Sequence, residues 1–151
     1  MSAADELRGV FHDIWSVAVK KPLEELDKMP ELSGAKIYET EIAIEGAWRG
    51  RIVFFTVEDV ANFIARHMFL IDAPQMPSQE QIEDSLKEFT NVIGGNLKSA
   101  LPEPCYLSLP IFSGIVPQLT IKPQDNEKLL ADLYFQSSDG PVSAKLYQAL
   151  D

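Results

Sequence analysis

The order of hydrophobic periodicities along this chain predicts an α+β fold in which helices cover one face of a largely antiparallel sheet. The prediction rests on three observations. A helical segment opens the chain, a strongly alternating segment and its partner strand follow around Gly46, and two amphipathic stretches then lead into a C-terminal half that reads as extended chain. With 151 residues the chain fits one domain spanning 1–151, and at this size about 70% of the unfolded surface can be buried, enough for a core.

Taken in order, residues 3–19 place Leu7, Val10, Phe11, Ile14, Val17 and Ala18 at helical spacing until Pro22 interrupts the pattern. After Pro30 and Gly34, KIYETEIAIEG puts Tyr38, Thr40, Ile42 and Ile44 on one side and Glu39 and Glu41 on the other, the mark of a half-exposed strand. Glu45-Gly46 marks a turn, and WRGRIVFFT returns as the partner strand, ending near Thr56, with Gly50 marking a bulge or a close approach. Thr56 is the expected cap of a second helix, TVEDVANFIARHMFL, which carries Glu58 and Asp59 in its first turn and Val57, Val60, Ile64 and Met68 as its apolar stripe. The proline-bearing stretch IDAPQMPSQE reads as a loop, and Ser78 with Gln81 forms a capping box for a third helix over 79–101.

Pro102 and Pro104 end that helix. CYLSLPIFSG then reads as a strand with Pro110 at a bulge or edge, and PQLTIKP as another extended piece. LLADLYFQ and PVSAKLYQAL, separated by SSDG, read as a final hairpin, the alternative for the last ten residues being a short helix begun by Pro141.

Composition narrows the function classes. Thirteen basic against 23 acidic residues give a net charge of -10, which repels nucleic acid and anionic membrane. Cys105 is the lone cysteine, so no internal disulfide or multi-cysteine metal site can form, and its expected role is that of a small buried hydrophobe. No run approaches 18 apolar residues, and MSAADELRGV lacks the basic and apolar regions of a signal peptide, so a cytoplasmic protein is expected. His12 and His67 stand apart with no ligand at metal spacing and read as helix-surface or core-edge residues. With one Cys and two His, no nucleophile with an oriented base can be assembled. The acidic clusters Glu24-Glu25-Asp27 and Glu80-Glu83-Asp84 lack the alternation and the glycine of a calcium loop and read as solvated faces. Gly94-Gly95 follows no strand, so it is no phosphate loop; close helix packing is its expected role. Trp48, Arg49 and Arg51 on the second strand can contact an anion or a partner, with cross-strand packing the favoured role for Trp48.

The informative segment is the third helix. At about 100° per residue its apolar side chains, Ile82, Leu86, Phe89, Ile93, Leu97 and Ala100, fall in one stripe, while Asp84, Glu88, Asn91, Gly95 and Lys98 gather opposite, where Gly95 keeps the surface low. A carboxylate and an amide one turn apart either solvate the helix or enter another protein's active site.

The string Asp84-Ser85-Leu86-Lys87-Glu88-Phe89-Thr90-Asn91-Val92-Ile93-Gly94-Gly95-Asn96 resembles the signature of the CheX, CheC and FliY chemotaxis phosphatases, in which an acidic or serine residue, a Glu and an Asn three later lie on a long exposed helix. The preceding hairpin with Gly46 and Gly50, the second helix, the proline-bearing loop and the later strand with Pro110 come in that family's order, over roughly residues 5 to 148. The resemblance is to the CheX branch: CheC-type members carry a second Glu/Asn pair on the first helix, where this chain has Asp13 and Ser16, so one site per chain is expected. The proline after the signature comes earlier than in the family, and the C-terminal half differs in detail.

The resemblance implies a CheX/CheC-like fold and a phosphatase that accelerates loss of the aspartyl phosphate from a CheY-like response regulator, in chemotaxis or a related two-component circuit. Asn91 would hold the attacking water, Glu88 would pair with the regulator's active-site lysine, and Asp84 and Ser85 are docking candidates. Mg2+ would be supplied in the regulator's site, with no cofactor or metal on this chain. A homodimer paired through sheet edges is implied as well, without nucleic-acid binding or membrane insertion. The alternatives are a non-catalytic module of the same fold that contacts a response regulator or a flagellar motor switch component, and a small acidic scaffold.

Overall fold

A computed structural model of the chain describes residues 2–32, 36–116 and 123–150. Helix α1 (Ala3–Ile14) starts at Ser2, whose hydroxyl accepts the Asp5 N–H at 3.2 Å, and it runs on into a π-helical turn, Trp15–Val19. Strands β1 (Leu23–Leu26), β2 (Ile37–Gly46) and β3 (Gly50–Val57) lead into α2 (Glu58–Phe69) and α3 (Gln79–Lys98). Then come β4 (Cys105–Leu107), β5 (Ile111–Val116) and the hairpin β6 (Glu127–Ser137) and β7 (Gly140–Ala149). All seven strands join one sheet in the order β1-β6-β7-β3-β2, and β4 and β5 share the outer edge of β2. Every pairing is antiparallel.

The α+β architecture is therefore as the sequence predicts, with several local differences. β1 was not foreseen. The cap expected from Thr56 does not form: Val57 holds the N-cap position of α2 without a side-chain bond, and the Thr56 hydroxyl instead donates to the Pro141 carbonyl at 3.2 Å. CYLSLPIFSG is two short strands, separated at Ser108 to Pro110, where Ser108 bridges the gap by accepting the Ala43 N–H on its hydroxyl and donating its own N–H to the Ala43 carbonyl, both at 2.9 Å. The last residues form β7, with no helix at Pro141. Helix α3 ends at Lys98, so Ala100 lies beyond it and is exposed. Met68 is likewise exposed. Gly50 marks a close approach, since a Cβ there would stand 2.5 Å from the Trp48 ring and strike the Tyr147 carbonyl. Most of PQLTIKP lies outside the described residues.

The helices pack on one face. Phe11 of α1 stacks on Phe135 of β6 at 5.1 Å between ring centroids and on Phe54 of β3 at 6.0 Å, and Phe89 of α3 meets Phe54 at 5.1 Å and Trp15 edge-on at 5.7 Å. These rings join α1, the π-helical turn, β3, α3 and β6, with centroid separations in the range favourable for aromatic pairs. Cys105 is buried, as expected, with its thiol donating to the Pro102 carbonyl at 2.9 Å.

The opposite face carries a second, smaller cluster of Ile37, Val53, Phe55 and Tyr147, and two cations held by partners, Lys145 buried and Arg51 half-buried. Lys145 is 0% exposed; its ammonium donates to Asp132 Oδ1 and, at 3.2 Å, to the Tyr134 hydroxyl, which itself donates to Asp132 Oδ2 at 2.9 Å. Closing the triangle satisfies a charge that burial would otherwise penalise by several kcal/mol. Arg51 lies over the Tyr147 ring at 4.4 Å and forks onto Glu127 with bonds of 2.8 and 3.0 Å, while also reaching Glu41 at 3.0 Å. It is thus committed within the sheet, which removes it from the residues available to a partner.

Hydrogen bonds from Arg51 hold the Glu127 carboxyl below the usual glutamate range, against an opposing push from burial. A carboxyl whose folded pKa is depressed adds stability above its unfolded pKa, and that stability disappears as pH falls through the folded value. Glu127→Gln is therefore expected to flatten the acid limb of the stability profile below about pH 4.3, the unfolded glutamate pKa. Thermal melts from about pH 3 to pH 7 check this, and limbs of equal slope would contradict it.

Candidate functional site

Helix α3 is seated in one rotation about its axis by four local features. Its start is held by the capping box read from the sequence: Ser78 Oγ accepts the Gln81 N–H at 3.1 Å and Gln81 Oε1 accepts the Ser78 N–H at 2.9 Å. Its apolar stripe, Ile82, Leu86, Phe89, Ile93 and Leu97, is buried. Its flank is registered on β2 by Thr90, whose hydroxyl donates to the Leu86 carbonyl at 2.8 Å and lies 2.6 Å from Thr40 Oγ1. With the Thr90 proton committed to its own helix, Thr40 is the donor between the two hydroxyls. Gly94 completes the seat, since a Cβ there would lie 3.2 Å from Ile42 Cγ2 and 3.3 Å from Leu107 Cδ2. That is the close packing expected of the glycine pair, and it applies to Gly94 alone.

Fixing the inner face fixes the outer one. Asp84 and Glu88 are exposed, and Asn91, Gly95 and Lys98 are half-buried on the same ridge. The side chains of Asp84, Glu88 and Asn91 have no hydrogen-bond or ion-pair partner among the described residues. Neighbouring polar groups do have partners: Lys87 pairs with Glu83 at 3.1 Å, and the Asn96 amide donates to the Val92 carbonyl at 2.8 Å. Glu88 offers only acceptors when ionised, whereas the Asn91 amide offers both a donor and an acceptor. The ridge therefore presents an anion and a bifunctional amide one turn apart, neither engaged at home.

Ser85 does not belong to it. It is 1% exposed, and its hydroxyl has no hydrogen-bond partner among the described residues, so it cannot meet a docking protein. One residue past Asp84 the helix has turned about 100° towards the core, one turn before Phe89. The indole N–H of Trp15, whose ring abuts Phe89, shares this buried and unpaired state. Asp13 and Ser16 are both exposed, on α1 and the π-helical turn. His12 meets the Phe135 ring edge-on at 5.5 Å and His67 stacks on Phe63 at 6.2 Å, consistent with core-edge and surface positions. Among the described residues no group of three or more His, Cys, Asp or Glu side chains is placed to hold a metal ion, and no helix is long and apolar enough to cross a membrane. Thr40, Thr90 and Gly94, which set the direction of the ridge, were not singled out from sequence for that role; the signal available was a threonine on the inward side of each element.

The fold is a sheet backed by helices, with a Glu and an Asn that have no partner among the described residues on the outward ridge of one of them. The family described as chemotaxis phosphatase CheX matches residues 40–129, well over half of the chain and all of α3. The chain belongs to the CheX family. Among solved structures it is similar to the chemotaxis protein CheX of Vibrio vulnificus, with a TM-score of 0.75 and 17% identity over 97% of this chain and 95% of that one. A CheC-like superfamily protein from Shewanella sp. PV-4 gives a TM-score of 0.72 and 17% identity over 97% and 96%. The CheX-CheY-BeF3-Mg2+ complex from Borrelia burgdorferi gives 0.65 and 17% over 99% and 96%. At these identities the likeness is one of fold. No curated protein matches the chain in sequence.

Proposed function

We propose that this chain accelerates hydrolysis of the aspartyl phosphate on a CheY-like response regulator. The observation that carries the reading is the pair Glu88 and Asn91, one turn apart and without a partner among the described residues, on the outer ridge of a helix whose rotation is fixed from beneath. The Asn91 amide donates from Nδ2 to a phosphoryl oxygen and accepts from water at Oδ1, holding that water in line with the bond from phosphorus to the aspartyl oxygen. Water attacks phosphorus, the aspartyl carboxylate leaves, and inorganic phosphate is the product. Glu88 pairs with the regulator's lysine, a charge-assisted contact that sets register. Asp84 is a docking residue at the N-terminal end of the ridge. Mg2+ belongs to the regulator's site and balances charge there. The Borrelia structure, which holds a CheX with CheY, BeF3 and Mg2+, supports the choice of partner.

The test is direct. Added to an autophosphorylated response regulator carrying a labelled phosphoryl group, the protein should speed loss of label. Binding without acceleration would hand the site to the non-catalytic reading, a module that holds a regulator or a motor switch component. We further propose that the chain works as one cytoplasmic domain and as a symmetric dimer paired through a sheet edge. The β4 and β5 edge, where Ile111 and Ile115 are exposed, is available for such pairing. Sedimentation equilibrium at micromolar concentration should return twice the chain mass, and a monomer alone would count against the dimer.

A further inference from the structure

Gly95 lies inside α3, in helical backbone, and a Cβ built on it would meet no atom within 4 Å. Its neighbour Gly94 is accounted for by Ile42 and Leu107; no packing contact among the described residues accounts for Gly95. Glycine in a helix interior is less stable than alanine, because more backbone freedom is lost on folding. A residue that lowers stability and makes no compensating contact at home points to a requirement outside the chain.

The position says what that requirement is. Gly95 is four residues beyond Asn91 and seven beyond Glu88, on the same ridge. Cα–Cβ bonds in a helix tilt towards the N-terminus, and a side chain covers the turn preceding its own Cα. Any side chain at position 95 would thus lean over the surface beside the Asn91 amide. We propose that Gly95 is a specificity-determining residue: the rim of the partner's phosphorylated pocket rests on its bare backbone, and that clearance is what lets Asn91 reach the phosphoryl group. The inference rests on the phosphatase reading of the ridge and extends it to a residue with no chemistry of its own.

Gly9 provides the control. It too is helical and without an atom within 4 Å of a built Cβ, but it is exposed and lies on α1, off the ridge. Gly95→Ala and Gly9→Ala should each raise the melting temperature by about 2 to 4 °C. Against a phosphorylated CheY-like regulator, Gly9→Ala should match wild type. Gly95→Ala should lose about tenfold in kcat/KM, and Gly95→Leu about a hundredfold or more, as a tight contact is overfilled. Rising stability with falling activity is a combination that a purely structural role cannot produce. An active wild type whose activity Gly95→Leu leaves intact would overturn the clearance and leave the phosphatase reading standing. For a wild type that binds the beryllofluoride-loaded regulator without hydrolysing phosphate, the same Gly95→Leu loss should appear in binding, and its absence would again overturn the clearance. A wild type that neither binds nor hydrolyses would overturn both.

Discussion

Replacing Asn91 by alanine should reduce the catalysed dephosphorylation of a response regulator by about a hundredfold or more, the scale seen when a single positioned donor to a reacting group is removed. The interaction with the in-line water is made chiefly in the transition state, so affinity for the beryllofluoride-loaded regulator should stay within a few-fold of wild type. Glu88→Ala should differ in kind, lowering hydrolysis and docking together, because its contact with the regulator's lysine is present in the bound ground state. Neither change should lower the melting temperature, since neither side chain has a partner within the described residues and alanine is the better helix former. Single-turnover decay of the phosphorylated regulator, read beside equilibrium binding, separates the two effects. Removing Mg2+ should stop hydrolysis for wild type and variants alike, through the regulator's site. Full activity in Asn91→Ala would transfer the role to another residue of the ridge.

The second large effect is expected on stability, at Phe89. This side chain is 2% exposed and lies where α1, the π-helical turn and β3 meet, with the rings of Phe11, Trp15 and Phe54 at 6.1, 5.7 and 5.1 Å. Phe89→Ala leaves a cavity among groups that are held from three sides and cannot collapse fully, so a loss of about 3 to 5 kcal/mol is expected by chemical denaturation. A loss under about 1 kcal/mol would mean that the inner face of α3 has been assigned to the wrong residues. Asn91→Ala, two residues away, should cause no loss in the same measurement.

Much of this arrangement is legible in the sequence wherever one period dominates a segment. Alternation in KIYETEIAIEG sets the facing of β2, and the 3.6-residue repeat from Ile82 to Leu97 sets the inner stripe of α3, because each pattern is long enough to exclude the other. The failures share a different cause: a residue whose state is decided by a distant neighbour. LEEL becomes β1 only because β6 is there to pair with it, Leu23 opposite Ser137 and Leu26 opposite Tyr134. Thr56 abandons the local cap for a carbonyl on β7. Ser85 looks polar and is buried, since its environment is set by what packs beside the helix. Lys145 can be buried because the register of the last hairpin places Asp132 directly opposite, with Tyr134 one step along the same face. The proposed roles of Glu88 and Asn91 come from the family resemblance, since periodicity alone cannot tell a Glu and Asn that act from a pair that only meets water.

The seating of α3 by Thr40, Thr90 and Gly94 has a consequence for how such a protein can change over generations. Its inner face is buried in the core, and under the function proposed above its outer face would bear the encounter with a regulator, the two sharing a backbone with almost no side chain in common. On that reading, drift on the outer face would retire catalysis, retune the choice of regulator or turn an eraser of the signal into a holder of it, with the core left in place.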